Sequence, residues 1–327
     1  MSEAKVGGQA VIEGVMIRSP ERIATAVRGQ DGRIVVRSQA YKSLAKRKRW
    51  LDVPIVRGAI SFFEMLILGI SSLNFSAEVA TREGKGPETK DQAGAPDNSG
   101  AKPEIEKKAP AATLSIILTT VVGLGLGIFF FLFIPLWIVR ALGFQKAAIG
   151  FNLMAGLIRM TMFVGYVWAL SFFRDFRRLF EYHGAEHMSI FAYENGEDLT
   201  VENVRKYQTF HPRCGTSFLF IVALLAILVY SVSDSVYQLI AGAPPPLLNR
   251  FLVHFALLPF VAGSSFELLR ASARHTHRVW WRILAAPGLW IQRITTRNPD
   301  HDQLEVAKIA VWSSLGMPLP ESVTVEN

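Results

Sequence analysis

Four long apolar runs constrain the fold of this chain more than any other feature of its sequence. The first run contains no charged residue from Ala109 to Val139, and a membrane-spanning helix needs about 20 predominantly apolar residues. A hydrophobic content of 50% and a mean hydropathy of +0.26 are too high for an ordinary soluble protein. We therefore predict a mainly α-helical integral membrane protein with about four transmembrane helices, at Thr113–Val139, Ala147–Phe173, Ser217–Ile240 and Phe251–Leu269.

Each of the other three runs contains one charged residue, namely Arg159, Asp234 or Glu267. Charged side chains are costly in hydrocarbon, so they are expected to face the interior of a helix bundle or water. Glu267 lies near one end of its run and Arg159 nearer the middle of its own, so these two are not predicted to pair. Glu267 is instead a candidate metal ligand or a salt-bridge partner of Arg270.

Lysine and arginine residues are concentrated on one side of the predicted spans. They precede the first span, fill the loop 174–216 and follow the last span, whereas the two remaining loops contain only Arg140, Lys146 and Arg250. The positive-inside rule places the basic segments in the cytoplasm. The sequence thus predicts a multi-pass protein of the inner (plasma) membrane with cytoplasmic N- and C-termini.

The formal net charge of +8 and the pI near 9.7 predict anionic membrane lipids as partners. A nucleic-acid partner is not predicted, because the basic residues flank membrane segments and form no tract interleaved with aromatic residues. The oligomeric state is left open by the sequence.

Smaller units are predicted outside the membrane domain. Short apolar stretches separated by Glu13-Gly14 and by residues 29–32 predict a small antiparallel β-sheet within a cytoplasmic segment, residues 1–50. Residues 51–80 have a helical apolar period but include Arg57 and Glu64, which favours a membrane-surface helix and leaves a fifth span as the alternative. Further units are a disordered linker over 81–110, a four-helix membrane domain over 111–271 that includes the loop 174–216, and a cytoplasmic tail with an interfacial helix over 272–327.

A candidate metal site lies in the cytoplasmic loop, where His183 and His187 stand on either side of Glu186. Residues four apart share one face of a helix, so both imidazoles could bind one divalent cation while Glu186 acts as a general base. The order H-x-x-E-H is that of the inverted zincin motif, although three fixed positions also arise by chance. The pattern predicts a divalent metal cofactor, with zinc expected.

His211 and Cys214 form a second cluster shortly after the first, and Cys214 is the only cysteine of the chain. A turn at Asn195-Gly196 and a helix N-cap at Thr200 predict a helical hairpin. Such a hairpin would return His211 and Cys214 to the first two histidines at the membrane surface.

Several interpretations of these donors stay open. Four ligands (His183, His187, His211 and Cys214) would complete a tetrahedral structural site, whereas three ligands would leave an open catalytic position. The two histidines of the first cluster could instead lie on a solvated helix face, and Cys214 could be a small buried residue at a helix start.

The chain resembles the YqhQ-like bacterial membrane proteins, a family of unknown function catalogued as predicted metal-dependent enzymes. Met188 departs from the family pattern, which has lysine there, at a position that would not point at a shared metal. The resemblance implies that the N-terminal sheet and the C-terminal tail pack around the His183 loop as one cytoplasmic cap. It rests on Gly7–Met16, Tyr182–His187, His211–Ser217, Ala286–Trp290, Thr295–Arg297 and Gln303–Glu305, and it spans nearly the whole chain except the linker and the last dozen residues.

The sequence favours two functions. The first is a membrane-bound metal-dependent hydrolase in which Glu186 is the catalytic base and a peptide or lipid-linked molecule is the substrate. The alternative is a non-enzymatic membrane scaffold or assembly factor with a structural metal or none. A transporter is a weaker third option, because the spans show no clear repeat or broken-helix pattern.

Overall fold

The computed structural model describes residues 6–47, 51–82, 118, 121–144, 148–212, 214–274 and 279–326. Its elements form a helix bundle and, at one end of the bundle, a β-sheet covered by helices. The helices are α1 (Leu44–Arg47), α2 (Val56–Thr81), α3 (Val121–Ala141), α4 (Ala148–Leu170), α5 (Arg174–Glu194), α6 (Val201–Val204), α7 (Gly215–Ala241), α8 (Leu247–Arg274), α9 (Val279–Thr295) and α10 (His301–Leu315).

Helices α3, α4, α7 and α8 correspond to the four predicted spans, and they pack against one another. Each is long and apolar enough to cross a membrane. The described residues contain a fifth helix that meets the same criteria, α2, so the predicted number of four is approximate. Helix length and composition alone therefore do not establish how many of the five helices cross the membrane.

Helix α2 presents two different faces. Phe75 and Val79 are buried against the sheet, and Ser72 receives a hydrogen bond from the hydroxyl of Thr25. The opposite face is apolar and exposed. Its exposed residues recur at helical spacing and comprise Phe63, Leu66, Ile67, Ile70 and Leu73.

The β-sheet contains five strands in the order β1 (Gly7–Val11), β2 (Gly14–Arg18), β3 (Arg22–Arg28), β4 (Ile34–Ala40) and β5 (Val323–Glu326). The first four are antiparallel neighbours, as predicted. The fifth comes from the C-terminal tail and pairs in parallel with β4. The sheet is therefore mixed rather than antiparallel, and the predicted units 1–50 and 272–327 fold together.

The sheet is the middle layer of three, because side chains alternate between the two faces of a strand. Val15 and Ile17 of β2 join one core with α5 and α10, whereas Met16 between them joins the core under α2. The packing predicted for the cap is thus present: the sheet and the tail enclose α5. Its cytoplasmic location stays a prediction.

The loop 174–216 differs from the predicted helical hairpin. The chain leaves helical geometry at residues 171–173, so α5 is separate from the span α4 rather than its continuation. Thr200 caps a helix as predicted, its hydroxyl accepting from the Asn203 amide, but that helix is the single turn α6. Residues 205–212 form turns and bends rather than a longer helix, and Cys214 is the N-cap of α7. The predicted linker 81–110 lies outside the described residues apart from Thr81 and Arg82.

The tail contains α9 and α10. Asp300 and Gln303 form a capping box at the start of α10, and Gly316 ends it with a left-handed backbone at φ 72°. Helix α9 packs against α7 and exposes Trp280 and Trp290. This helix matches the predicted interfacial helix in sequence position; its location at a membrane interface stays a prediction.

The contact between α2 and α8 generates a first prediction. A Cβ at Gly58 would lie 2.2 Å from the carbonyl oxygen of Gly263, so Gly58→Ala should lower the free energy of unfolding by about 1–3 kcal/mol through overpacking. Gly165→Ala in α4 is the matched control, because no atom lies within 4 Å of its added methyl group. Thermal unfolding of the purified protein measures both, and equal melting temperatures would contradict the close packing.

Candidate metal centre

Helix α5 carries the first set of donors on its buried side. His183, Glu186 and His187 lie within one turn, and the helix is buried nearly continuously from Tyr182 to Ala192. This burial is unusual for a polar sequence, and it results from enclosure of the helix by the sheet and α10. The solvated helix face considered above therefore does not describe His187, which is 1% exposed.

Backbone carbonyls orient both imidazole rings. The Nδ1 atom of His183 lies 2.8 Å from the carbonyl oxygen of Thr295, and Nδ1 of His187 contacts the carbonyl oxygen of Thr209. A carbonyl only accepts, so each Nδ1 carries a proton, and each ring would bind a metal through Nε2. This is the arrangement found where histidine binds a metal through Nε2.

Cys214 lies where the two Nε2 atoms point. Its Sγ atom is 3.2 Å from Nε2 of His183, and the ligand atoms of His183, His187 and Cys214 all lie within 4.8 Å of one another. In the part of the chain that is described, this is the group of donors close enough to share one ion. The structure thus brings together three of the five predicted ligands.

Glu186 lies beside this group. Its Oε2 atom is 3.9 Å from Nε2 of both His183 and His187, and the backbone N–H of Gly8 donates a hydrogen bond to its carboxylate. The side chain is buried, and this burial raises the pKa of Glu186. The carboxylate is therefore close to the cluster without being a member of it.

Gly8 lies where strand β1 passes close to Glu186. A Cβ there would lie 2.4 Å from the carbonyl oxygen of Met16 and 3.1 Å from Oε1 of Glu186. Only glycine allows β1 to approach both the neighbouring strand and the carboxylate.

His211 is buried next to the cluster rather than inside it. Its ring lies 5.6 Å from that of His187, and its Nε2 atom is 3.5 Å from Oε2 of Glu194. Burial lowers the pKa of both His187 and His211. With His211 facing Glu194, a complete shell of four nitrogen and sulfur ligands is not formed by the described side chains.

Glu267 is placed in a different part of the structure. Its two carboxylate oxygens lie 2.9 Å and 2.6 Å from Nε and Nη2 of Arg57, in a bidentate ion pair between α8 and α2. Glu267 was predicted to be either a metal ligand or a salt-bridge partner of Arg270. It is found in a salt bridge, in which Arg57 is the cation. The three-donor group described above does not include Glu267.

Gln292 is a positioning residue that sequence reasoning missed. Its side chain is fully buried, its carbonyl oxygen accepts from the His211 backbone N–H at 2.8 Å, and its amide donates to the His211 carbonyl at 2.9 Å. The same amide lies 3.2 Å from the hydroxyl of Thr216. A glutamine that bonds to backbone atoms belongs to no recognisable sequence motif. The one signal that could have indicated it is the presence of a polar residue within the mostly apolar sequence of α9.

The chain is similar to known proteins over most of its length. A family model described as a protein of unknown function (DUF1385) matches residues 53–316. The uncharacterized protein YqhQ of Bacillus subtilis (strain 168) is 31% identical over 315 residues, which cover 94% of this chain and 92% of the relative. No solved structure matches the chain.

The clamp on His211 generates the second prediction. Gln292→Leu keeps much of the side-chain volume but removes the Gln292 acceptor of the His211 N–H and one of two donors to the His211 carbonyl, so the free energy of unfolding should fall by about 2 kcal/mol. Arg293→Ala, at the exposed neighbouring position of α9, should cost far less. Thermal unfolding compares the two, and a Gln292→Leu protein as stable as the Arg293→Ala control would rule out the clamp.

Proposed function

We propose that this chain, which belongs to the DUF1385 family of unknown function, is a membrane-bound metal-dependent hydrolase. The observation that carries the proposal is the convergence of His183, His187 and Cys214 within 4.8 Å, with Glu186 3.9 Å from both imidazoles. Three protein ligands with a carboxylate beside them match the composition of open catalytic sites rather than closed structural ones.

Zinc is the metal that best fits this donor set. Two neutral imidazoles and one thiolate are ligands that zinc accepts in tetrahedral geometry. Both histidines already have the Nδ1–H to carbonyl hydrogen bonds that favour binding through Nε2. When bound, such a metal would supply a Lewis acid that activates water for attack on a carbonyl or phosphoryl group.

Glu186 is assigned the role of general base. Its carboxylate is enclosed by α5, β1 and the two histidines, and the Gly8 N–H holds it in one orientation. A base in this position can accept a proton from water at the open position and pass it to a leaving group. His211, in contact with Glu194, is assigned to the wall of the site.

The position of Cys214 favours a substrate that arrives from the membrane surface. Cys214 immediately precedes α7, one of the four bundle helices. His183 and Cys214 are also the members of the cluster that keep some exposure. A peptide or a lipid-linked molecule whose polar group lies at the interface could reach this position without entering the hydrocarbon.

A second candidate, a non-enzymatic scaffold with a structural metal, is favoured by the burial of the site. His187 and Glu186 are 1% and 4% exposed, which leaves little room for a large substrate. In this alternative the ion would join α5 to the start of α7, and metal binding would contribute folding energy.

We infer that α2 does not cross the membrane, because the sheet imposes a parity on the crossings. Strand β4 precedes α2 and β5 follows every candidate span, yet the two strands are hydrogen-bonded neighbours. Only an even number of crossings can separate them. The bundle helices α3, α4, α7 and α8 supply four, and α2 lies on the surface with its exposed apolar face in the lipid headgroup region.

The same parity supports the proposed orientation. Two crossings lie between the sheet and α5, and two between α5 and the tail, so all three parts share one side. The basic segments lie on that side of the bundle. By the positive-inside rule we assign this side to the cytoplasm and the bundle to the inner (plasma) membrane.

The third prediction separates the hydrolase from the scaffold. Glu186→Gln should leave metal content and melting temperature nearly unchanged while activity falls by about 100-fold or more, because the variant lacks the base. His183→Ala and Cys214→Ser should instead lose the metal. Metal analysis, thermal unfolding and complementation of a strain lacking the gene measure the three properties, with Asp175→Asn on the exposed first turn of α5 as the matched control.

Full complementation by Glu186→Gln, together with unfolding of the His183 and Cys214 variants, would reject the hydrolase and leave the scaffold. A wild-type protein that folds without any bound metal would reject both.

The fourth prediction concerns topology. Reporter fusions after residue 108, in the loop 140–146, near Asn195, in the loop 242–250 and at the tail should lie in, out, in, out and in. A fusion at the N-terminus should lie on the same side as the fusion after residue 108, because α2 does not cross between them. Opposite sides for these two fusions would show that α2 spans the membrane.

A further inference from the structure

A second group of polar side chains lies inside the helix bundle, far from the metal centre. Oδ2 of Asp234 is 2.8 Å from Nδ2 of Asn152 and 2.8 Å from Nε of Arg250, and its Oδ1 is 3.2 Å from Nε2 of His254. All four side chains are at most 4% exposed. Polar groups buried to this degree within candidate spans are costly and mark functional positions.

The group continues toward the middle of the bundle through aromatic rings. The ring of His254 stacks on that of Tyr230, with centroids 4.0 Å apart. Arg159 lies within electrostatic range of both rings. Its Nε atom donates to the carbonyl of Phe131 at 2.8 Å, in the π-helical turn of α3.

Several hydrogen-bond donors of this group have no acceptor among the described residues. They are Nη2 of Arg159, Nη2 of Arg250 and the hydroxyl of Tyr230, and each atom is enclosed by protein. Nε2 of His254 faces Oδ1 of Asp234 and donates to it. In the corresponding neutral tautomer, Nδ1 of His254 is an acceptor and adds no further donor to the group. An enclosed donor without an acceptor destabilises the folded protein, and more strongly when it is charged.

The charges of the group do not balance either. Arg159 and Arg250 both remain protonated at neutral pH, whereas Asp234 is the one acidic residue between Glu202 and Glu267, and residues 107–174 contain none. Asp234 neutralises Arg250, with which it forms an ion pair. Arg159 is left as a cation without a carboxylate partner inside the bundle.

We propose that the bundle binds a small monovalent anion, of which chloride is the simplest, between Arg159 and Tyr230. One anion would balance the remaining positive charge and accept hydrogen bonds from Arg159 Nη2 and from the Tyr230 hydroxyl. A cation is excluded by the local charge, and a divalent anion would reverse the imbalance rather than remove it.

Arg250 connects this site to the end of the bundle opposite the metal centre. It lines a pocket of about 90 Å³ together with Arg140, Leu247 and the three consecutive prolines Pro244, Pro245 and Pro246. Tyr230 lies 16 residues along α7 from Cys214, or roughly 24 Å at about 1.5 Å per residue. The anion site is therefore independent of the proposed hydrolase centre and does not rest on it.

The test is the melting temperature of the purified full-length protein at constant ionic strength, with chloride replacing gluconate over about 1–100 mM. Wild type should show a saturable rise of several degrees, because a ligand that binds only the folded state stabilises it. Tyr230→Phe removes one donor and should raise the half-maximal chloride concentration about 10-fold or more. Arg159→Met removes the uncompensated charge and should abolish the rise.

Ser265→Ala is the matched control, since its buried hydroxyl bonds within α8 to the carbonyl of Val261. This variant should keep the chloride dependence of wild type. A wild-type melting temperature that does not respond to chloride would overturn the proposal. So would an equal response in wild type, Tyr230→Phe and Ser265→Ala, which identifies a general salt effect even if Arg159→Met fails to fold.

Discussion

The parallel pairing of β4 with β5 is the constraint on which the rest of the structure depends. It joins the segment before the bundle to the end of the chain, so everything between them must leave the sheet and return to it. Helix α5 returns halfway, between α4 and α7, and packs on the same sheet. The donors on α5 and Cys214 at the start of α7 therefore meet at one end of the bundle. The donor group there is assembled from two separate stretches of sequence.

Helix α5 comes very close to the segment that follows α9. A Cβ at Gly184 would lie 2.0 Å from the carbonyl oxygen of Arg297, and the Arg297 amide donates to the carbonyl of Phe180. This contact brings the Thr295 carbonyl within 2.8 Å of His183. A glycine between two histidines thus has a structural role: it lets the tail come close enough to orient one imidazole.

Much of this organisation could be predicted from residue patterns, and the failures have physical reasons. Long apolar runs with at most one charged residue identified four bundle helices, and the spacing of His183, Glu186 and His187 identified the face of α5. The parallel fifth strand was missed because Val323–Glu326 is short and its partner lies nearly 300 residues away. Gln292 was missed because it acts on backbone atoms. Glu267 was included as a ligand because sequence does not reveal that Arg57 lies within 2.6 Å of it.

Buried ionisable groups occur at both ends of the bundle but are balanced differently. Near α5, His183 and His187 lie beside Glu186, and their Nδ1 atoms contact backbone carbonyls, which makes the Nε2 atoms the candidate ligands of the proposed cation. Between α4, α7 and α8, the guanidinium groups of Arg159 and Arg250 face the single carboxylate of Asp234, and we propose an anion as the acceptor for the remaining donors. The same cost of burying an unpaired polar group therefore underlies both proposals, a cation at one site and an anion at the other, roughly 24 Å apart along α7. Since both sites include residues of α7, this helix is the direct physical connection between them.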